Sequence, residues 1–350
     1  MKFQTLHCHT TVSDGKLTYK QVLDTCQANN IGVVAFTDHD SVPDVEAIKT
    51  LDSLRSHETK WIVGIEISSG YPKEKKDAPA SSFHIVGLFI DPTNKELIDY
   101  CEKAQAARVE RMEDIVKNLT NLGFHVTAQM CLDASKGEAV ARPHIVEAVF
   151  SKPENVNLIY QLRDKMQKES VGSKALQQKY AEMEERVKER GEVQYAYALF
   201  LSDDAYIPGV YVERKYWKDL DSVAKLIRTA GGLAILAHYT FSKRNVPAES
   251  VERLLRENRL DGAEMVYGLN ALGENDFAKE LDADEKFIEG LVKKYNKVAS
   301  GGVDAHCKQD FELFSSNRAY AARTIGMVEQ IIEQTKVDTK WSSICNKITK

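Results

Sequence analysis

The residues best suited to chemistry in this chain are its histidines and a few of its carboxylates. His7 and His9 flank Cys8 at the end of the strand-like run Phe3–Leu6. Side chains at i and i+2 of an extended strand point the same way, so two imidazoles there could hold one ion. Asp14 follows in Ser13-Asp14-Gly15, a turn that can fold a carboxylate back toward the pair. Thr37-Asp38-His39-Asp40 comes directly after the apolar run Val33–Phe36. A ligand cluster fits this motif, and so does a turn with a helix N-cap. Glu66 lies inside Val63-Gly64-Ile65-Glu66-Ile67, where a carboxylate is costly unless paired or metal-bound. His84 stands at the start of Phe83–Leu88, and His238 follows Leu233–Ala237. Asp304 and His306 repeat the i, i+2 spacing after Ser300-Gly301-Gly302.

Together His7, His9, Asp14, His39, Glu66, His84, His238, Asp304 and His306 offer more nitrogen and oxygen ligands than one tetrahedral ion can use. They point to two or three adjacent divalent ions. Mixed imidazole and carboxylate donors suit Mn²⁺, Fe²⁺ or Zn²⁺ and argue against a thiolate structural zinc. Cys8 and Cys307 adjoin ligands, but an extended backbone turns their side chains to the opposite side, so both read as packing residues.

Such residues need elements to hold them. Phe3–Leu6, Ile31–Phe36, Trp61–Ile67, Phe83–Ile90, Leu233–Ala237, Gly262–Tyr267 and Val298–Gly301 read as strands. Lys20–Ala28, Asp44–Leu54, Ser222–Thr229, Val251–Asn258 and Lys279–Tyr295 have helical spacing. The alternation predicts an α/β fold of parallel strands covered by helices. In a parallel α/β barrel the strand ends converge on one face, where active sites form.

Lys95–Leu122 predicts one long helix ended by Gly123, and Pro143 opens another that runs to about Phe150. The stretch 151–205 differs, being rich in Lys, Glu and Gln with nearly balanced charge. Leu176, Tyr180, Met183 and Val187 share one helical face there. A helical insertion packed on the body fits this pattern, as does a solvated surface hairpin. The expected organisation is one α/β barrel from 1–150 and 206–325. A helical insertion at 151–205 covers the substrate site, and 326–350 forms a C-terminal helix or tail.

The 350 residues can bury a sizeable core. A net charge of −5 gives no overall pull toward long DNA or an anionic membrane. No apolar run reaches the ~18 residues of a membrane span. Six scattered cysteines with no CxxC pair, and a start without an apolar signal region, suit a reduced cytoplasmic protein.

The segments HCHTTVSDG, FTDHD, GIEIS, FHIVGLFID, ARPH, GGLAILAH and VDAH resemble the ordered motifs of the polymerase and histidinol phosphatase (PHP) family of metallophosphoesterases. The resemblance covers roughly residues 1–150 and 206–310. The run from ARPH to GGLAILAH is similar to the small nucleotide-phosphatase branch. The family fold is a distorted, TIM-like barrel of seven β/α units with metals at the strand C-termini. By resemblance, His7, His9, Glu66 and Asp304 hold one ion. Glu66 bridges to a second ion held by His84 and His238. Asp14, His39 and His306 hold a third ion or the other member of a pair. Ala237-His238-Tyr239 stands where the branch has Ala-His-Pro, and Asp304-Ala305-His306 where it has Asp-Phe-His. Neither departure removes a ligand.

The resemblance implies hydrolysis of phosphate monoesters of small nucleotides, either 5′-monophosphates such as AMP or 3′,5′-bisphosphates. A hydroxide shared by two ions would attack in line. Arg142 is the candidate phosphate clamp, because a guanidinium matches phosphate oxygens bidentately; a surface salt bridge is its other reading. His144 could donate to the phosphate or the leaving oxygen, and helix-start packing or metal ligation also fit it. Asp40 is expected to orient a ligand rather than bind an ion. The alternatives are a 5′–3′ exonuclease on short RNA, a histidinol-phosphate phosphatase and a non-catalytic metal-binding scaffold. The expected partner is a small phosphorylated substrate, with neither membrane nor long DNA.

Overall fold

The computed structural model describes residues 2–70, 82–135, 139–243, 246–267 and 276–344. The apolar runs form strands β1 (Phe3–Thr5), β2 (Ile31–Phe36), β3 (Lys60–Gly70), β4 (Ser82–Leu88), β5 (Lys218–Asp219), β6 (Leu233–Leu236), β7 (Gly262–Val266) and β8 (Val298–Gly301). Their hydrogen-bonded order is β1-β2-β3-β4-β6-β7-β8, and β5 pairs with the far end of β3. The two ends of this path also meet. The Leu6 N–H donates to Gly301 O (2.9 Å) and the His9 N–H to Ala305 O (2.8 Å), while Asp304 N–H donates to His7 O (3.1 Å). The sheet therefore closes on itself as a distorted seven-stranded barrel.

One expectation needs correcting. Most neighbours are parallel, but β4 runs antiparallel to both β3 and β6. A parallel return needs a crossover of about a dozen residues or more, usually a helix. Fewer positions separate Gly70 from Ser82 than such a crossover takes. The reversal explains how His84, at the start of its strand, joins residues that follow other strands. In the β3–β4 ladder His84 sits opposite Ser68, near the end of β3 that carries Glu66.

Helices cover the strands with their apolar faces. The helix Tyr19–Ala28 begins at a capping box between Thr18 and Gln21 and buries Val22, Leu23 and Cys26. The helix Leu220–Thr229 is capped by Asp219 and buries Leu220, Val223, Leu226 and Ile227. Each such aliphatic side chain contributes roughly 1.5–3 kcal/mol on leaving water. The C-terminal segment also has a place. After the helix Met327–Thr335, Trp341–Ser343 pairs with β3, through Val63 N–H to Trp341 O (3.0 Å) and Ser343 N–H to Trp61 O (2.9 Å). This satisfies backbone groups of β3 ahead of its pairing with β4.

The described chain divides into two compact units, one of residues 1–104 and 217–350 and one of residues 105–216. The barrel belongs to the first. The second is helical, and its core gathers Met112, Ile115, Phe124, Ile145, Val149, Ile159, Met166, Met183 and Phe200. Met183 is buried there, and Leu176, Tyr180 and Val187 pack against the same cluster. The unit extends beyond 151–205 on both sides because helices Ala128–Ser135 and Arg142–Phe150 before it, and Val210 after it, bury side chains in this same core. No helix among the described residues is long and apolar enough to cross a membrane.

Candidate metal centre

The first unit gathers all nine expected ligands. His7, His9, Glu66 and Asp304 each present one ligand atom, and these atoms lie within 4.8 Å of one another. His9 Nε2 is 2.9 Å from Asp304 Oδ1 and 3.3 Å from Glu66 Oε2. His7 Nε2 is 3.4 Å and 3.5 Å from the same two oxygens. None of these four buried atoms has a hydrogen-bond partner of acceptable geometry. Burying such atoms unpaired is costly. Four donors around an ion with bonds near 2.1 Å sit about 3.4 Å apart, so the cluster suits a divalent metal.

Glu66 also faces a second group. Its Oε1 lies 2.7 Å from His84 Nδ1 and 2.9 Å from His238 Nε2, and those two nitrogens are 3.2 Å apart. A third group brings together His9, Asp14, His39 and His306. Asp14 Oδ1 is 3.5 Å from His306 Nε2 and 3.6 Å from His9 Nδ1, and Asp14 Oδ2 is 3.9 Å from His39 Nε2. His39 stands between groups, since its Nδ1 is 2.9 Å from Glu66 Oε2. His9 likewise belongs to two groups, a sharing that the family pattern did not assign.

The backbone at the site is shaped for close approach. His238 (φ 31°), Asp304 (φ 52°) and Asp40 (φ 46°) adopt left-handed conformations, which non-glycine residues rarely hold without support. A Cβ at Gly15 would lie 2.3 Å from His9 O, and one at Gly302 would lie 2.5 Å from His7 N. Both positions require glycine so that the ligand-bearing segments can pack together.

Charge is concentrated here. Burial alone would raise the Glu66 carboxyl, but His39, His84 and His7 hold it well below the usual carboxylate range. Asp304 and Asp14 are held low in the same way, against burial, by surrounding imidazoles. Burial, with His238 and His39 nearby, pushes His84 down to about 4 despite Glu66. A neutral imidazole at neutral pH is the form that can ligate.

Three residues escaped the sequence reading. Asp38, buried, accepts hydrogen bonds from Thr10 N–H (2.7 Å), Thr10 Oγ1 (2.8 Å) and Ser13 Oγ (2.7 Å). It fastens the loop between His9 and Asp14. Glu264, buried in β7, lies 2.8 Å from His7 Nδ1 and accepts from the His238 backbone N–H at 2.7 Å. A carboxylate in an apolar strand was the signal that found Glu66, and Gly262–Tyr267 carries the same signal. Tyr267 donates to Asp304 Oδ2 at 2.9 Å; nothing in its sequence setting marks it.

Asp40 accepts from Tyr100 OH (3.3 Å) and Ser68 N–H (3.4 Å), and its own N–H donates to Glu66 O (2.9 Å). It ties the loop bearing His39 to β3. Arg142 and His144 belong to the second unit. There Arg142 Nη1 donates to Leu201 O (3.2 Å), and its guanidinium stands 5.7 Å from the Tyr197 ring. Tyr197 and Leu201 are the two ends of one wide π turn. His144 is buried, and its Nδ1 accepts from Ala141 N–H at 3.0 Å, which caps its own helix. Helix-start packing is thus one role it performs. Burial and the guanidiniums of Arg142 and Arg108 push Arg111 below its ordinary value.

A family model for the PHP domain matches residues 5–334. The chain belongs to the PHP family. It is accordingly a metal-dependent phosphoesterase, a phosphoric ester hydrolase. A 5′-3′ exoribonuclease of Haemophilus influenzae is 23% identical over 304 residues, spanning 86% of this chain and 89% of that protein. A 3′,5′-nucleoside bisphosphate phosphatase of Chromobacterium violaceum is 29% identical over 119 residues, or 34% of this chain and 39% of that protein. A solved structure from Bifidobacterium adolescentis superposes with a TM-score of 0.63 at 17% identity. It covers 95% of this chain and 96% of its own. That likeness concerns the fold.

Proposed function

We propose that this phosphoesterase removes phosphate from small nucleotides, using two or three ions of Mn²⁺, Fe²⁺ or Zn²⁺ held by the nine residues above. The observation that carries this reading is Glu66. One buried carboxylate directs Oε2 at His7, His9 and His39, and Oε1 at His84 and His238. A pair of divalent ions, when bound, supplies Lewis acidity and a water of lowered pKa. The chain's own part is to hold the ligands rigidly and keep competing donors away. Asp38 fastens the loop that leads to Asp14, Asp40 orients the segment of His39, and Tyr267 holds the outer oxygen of Asp304.

Phe241 supports a nucleotide substrate. Its ring is 46% exposed and lies 6.3 Å from the His238 ring and 5.4 Å from that of Tyr267. An aromatic face beside the metal ligands suits a nucleobase, whose stacking is worth about 1–3 kcal/mol. Arg142 as phosphate clamp, and His144 as donor through Nε2, rest on the ARPH motif and on guanidinium chemistry. The charge shared by Arg108, Arg111 and Arg142 suits an anion. Cys8, Cys26, Cys131 and Cys307 are thiols, which suits a reducing, cytoplasmic setting.

The second reading is 5′–3′ trimming of short RNA. The observation that favours it is the extent of the Haemophilus influenzae match, which takes in most of both units. A phosphate-release screen with Mn²⁺ tests the choice, using 5′-monophosphates, 3′-monophosphates, 3′,5′-bisphosphates, histidinol phosphate and a labelled trinucleotide. Turnover of a mononucleotide supports the first reading. Shortening of the trinucleotide without mononucleotide turnover replaces it with the second, and turnover of histidinol phosphate alone rejects both.

A further inference from the structure

The carboxylate of Glu264 lies outside the seven motif segments quoted above, yet it touches two of the ligands. Its Oε1 is 2.8 Å from His7 Nδ1, and its Oε2 accepts the backbone N–H of His238 at 2.7 Å. Both contacts are buried, with the side chains of His7 and Glu264 at zero exposure. An ionised carboxylate can only accept, so the hydrogen of His7 must sit on Nδ1. The lone pair on Nε2 is then left for a metal, and that nitrogen is the one aimed at Glu66 Oε2 and Asp304 Oδ1. The same carboxylate steadies His238, whose left-handed backbone (φ 31°, ψ 59°) needs support. Held so, His238 Nε2 reaches Glu66 Oε1 and His84 Nδ1.

We propose that Glu264 is a positioning residue that sets the tautomer of His7 and the backbone of His238, and so holds one ligand in each of the two groups that share Glu66. This rests on the metal-centre reading above. Its logic lies in Glu264→Gln, which keeps size and shape but replaces one acceptor with a donor. If the amide oxygen stays on the His238 N–H, the amide nitrogen faces His7 Nδ1 and donates to it. The His7 hydrogen then moves to Nε2 and blocks the ligand atom. If the amide turns over, two donors face each other at His238. Either arrangement weakens metal binding, whereas a carboxylate that merely filled space would tolerate the change.

The test uses the full chain loaded with Zn²⁺. Long-range ¹H–¹⁵N spectra of the wild type should locate the His7 hydrogen on Nδ1, with Nε2 on the metal. Glu264→Gln should bind Zn²⁺ about ten- to a hundredfold more weakly, with tryptophan fluorescence reporting a folded protein. Glu264→Asp, which keeps an acceptor, should recover part of that affinity. If Glu264→Gln does not fold, the wild-type spectrum and the Asp variant still decide. Wild-type zinc affinity in the Gln variant, or a His7 hydrogen on Nε2 in the wild type, overturns the proposal while leaving the metal centre standing. A wild type that binds no Zn²⁺ overturns both.

Discussion

Replacing Asp38 should loosen the barrel and the metal centre together. The carboxylate is 3% exposed and accepts three hydrogen bonds of 2.7–2.8 Å, two from Thr10 and one from Ser13. Hydrogen bonds to a charged acceptor are worth about 1.5–3 kcal/mol each, against about 0.5–1.5 for neutral pairs. Asp38→Asn removes the charge but keeps one oxygen. The Thr10 hydroxyl can turn to accept from the new amide. The expected loss is therefore about 2–3 kcal/mol. Asp38→Ala also strands the buried Thr10 N–H and leaves a cavity, so its loss should reach about 3–5 kcal/mol. Because the fastened loop lies between His9 and Asp14, metal affinity should fall in the same order. Urea unfolding of the metal-free protein, followed by tryptophan fluorescence, measures the first effect cleanly. Trp61, Trp217 and Trp341 are the chain's three tryptophans, and all belong to the barrel unit. Calorimetric titration with Mn²⁺ measures the second. An Asn variant within 0.5 kcal/mol of wild type (about the noise of a surface substitution), with unchanged metal affinity, would refute the reasoning.

Phe241→Ala should raise KM for a nucleotide about tenfold or more while leaving ribose 5-phosphate, which lacks a base, unaffected; equal effects on both substrates would remove the stacking role. Gly15→Ala should reduce metal occupancy by displacing the Asp14 loop, given the 2.3 Å approach of its Cβ to His9 O. Full occupancy by elemental analysis would show that the loop absorbs the methyl at no cost to the site. Burial pushes the Cys131 thiol up to about 11 and Cys26 higher still. At pH 8 only about one Cys131 in a thousand is then a thiolate, which is the reactive form. Iodoacetamide should label both in native protein far more slowly than in urea, and mass mapping would detect a failure of that expectation.

Much of the barrel was legible because buried strands read as unbroken apolar runs. Ile31–Phe36 and Val298–Gly301 have the same bounds in sequence and structure. Strand direction was not legible, since side-chain periodicity is identical either way; the reversal of β4 shows only in its pairing with β3 and β6. The border of the second unit was hidden for a related reason. It falls at residues 104 and 105, inside the single helix Lys95–Asn121, whose composition does not change there. At the site, His7, His9 and Glu66 announced themselves by type and local setting. Asp38 did not, because its partners Thr10 and Ser13 are distant in sequence and ordinary in kind. Glu264 carried the right local signal, but its meaning depends on His7, 257 positions away. The sharing of His9 and His39 between groups is a property of three-dimensional spacing that no motif encodes.

In the proposed function, phosphate release depends on the two or more metal-binding groups that Glu66 joins. The most direct test of this dependence is to strip the protein of metal, return Mn²⁺ in measured amounts, and follow bound metal and phosphate release from AMP and a 3′,5′-bisphosphate together. Activity should be absent without metal, at least two ions should bind per chain at saturation, and activity should rise as the sites fill. Asp304→Ala should remain folded, bind fewer ions and release no phosphate. Fewer than two ions per chain at saturation, or phosphate release that survives stripping, would contradict that dependence.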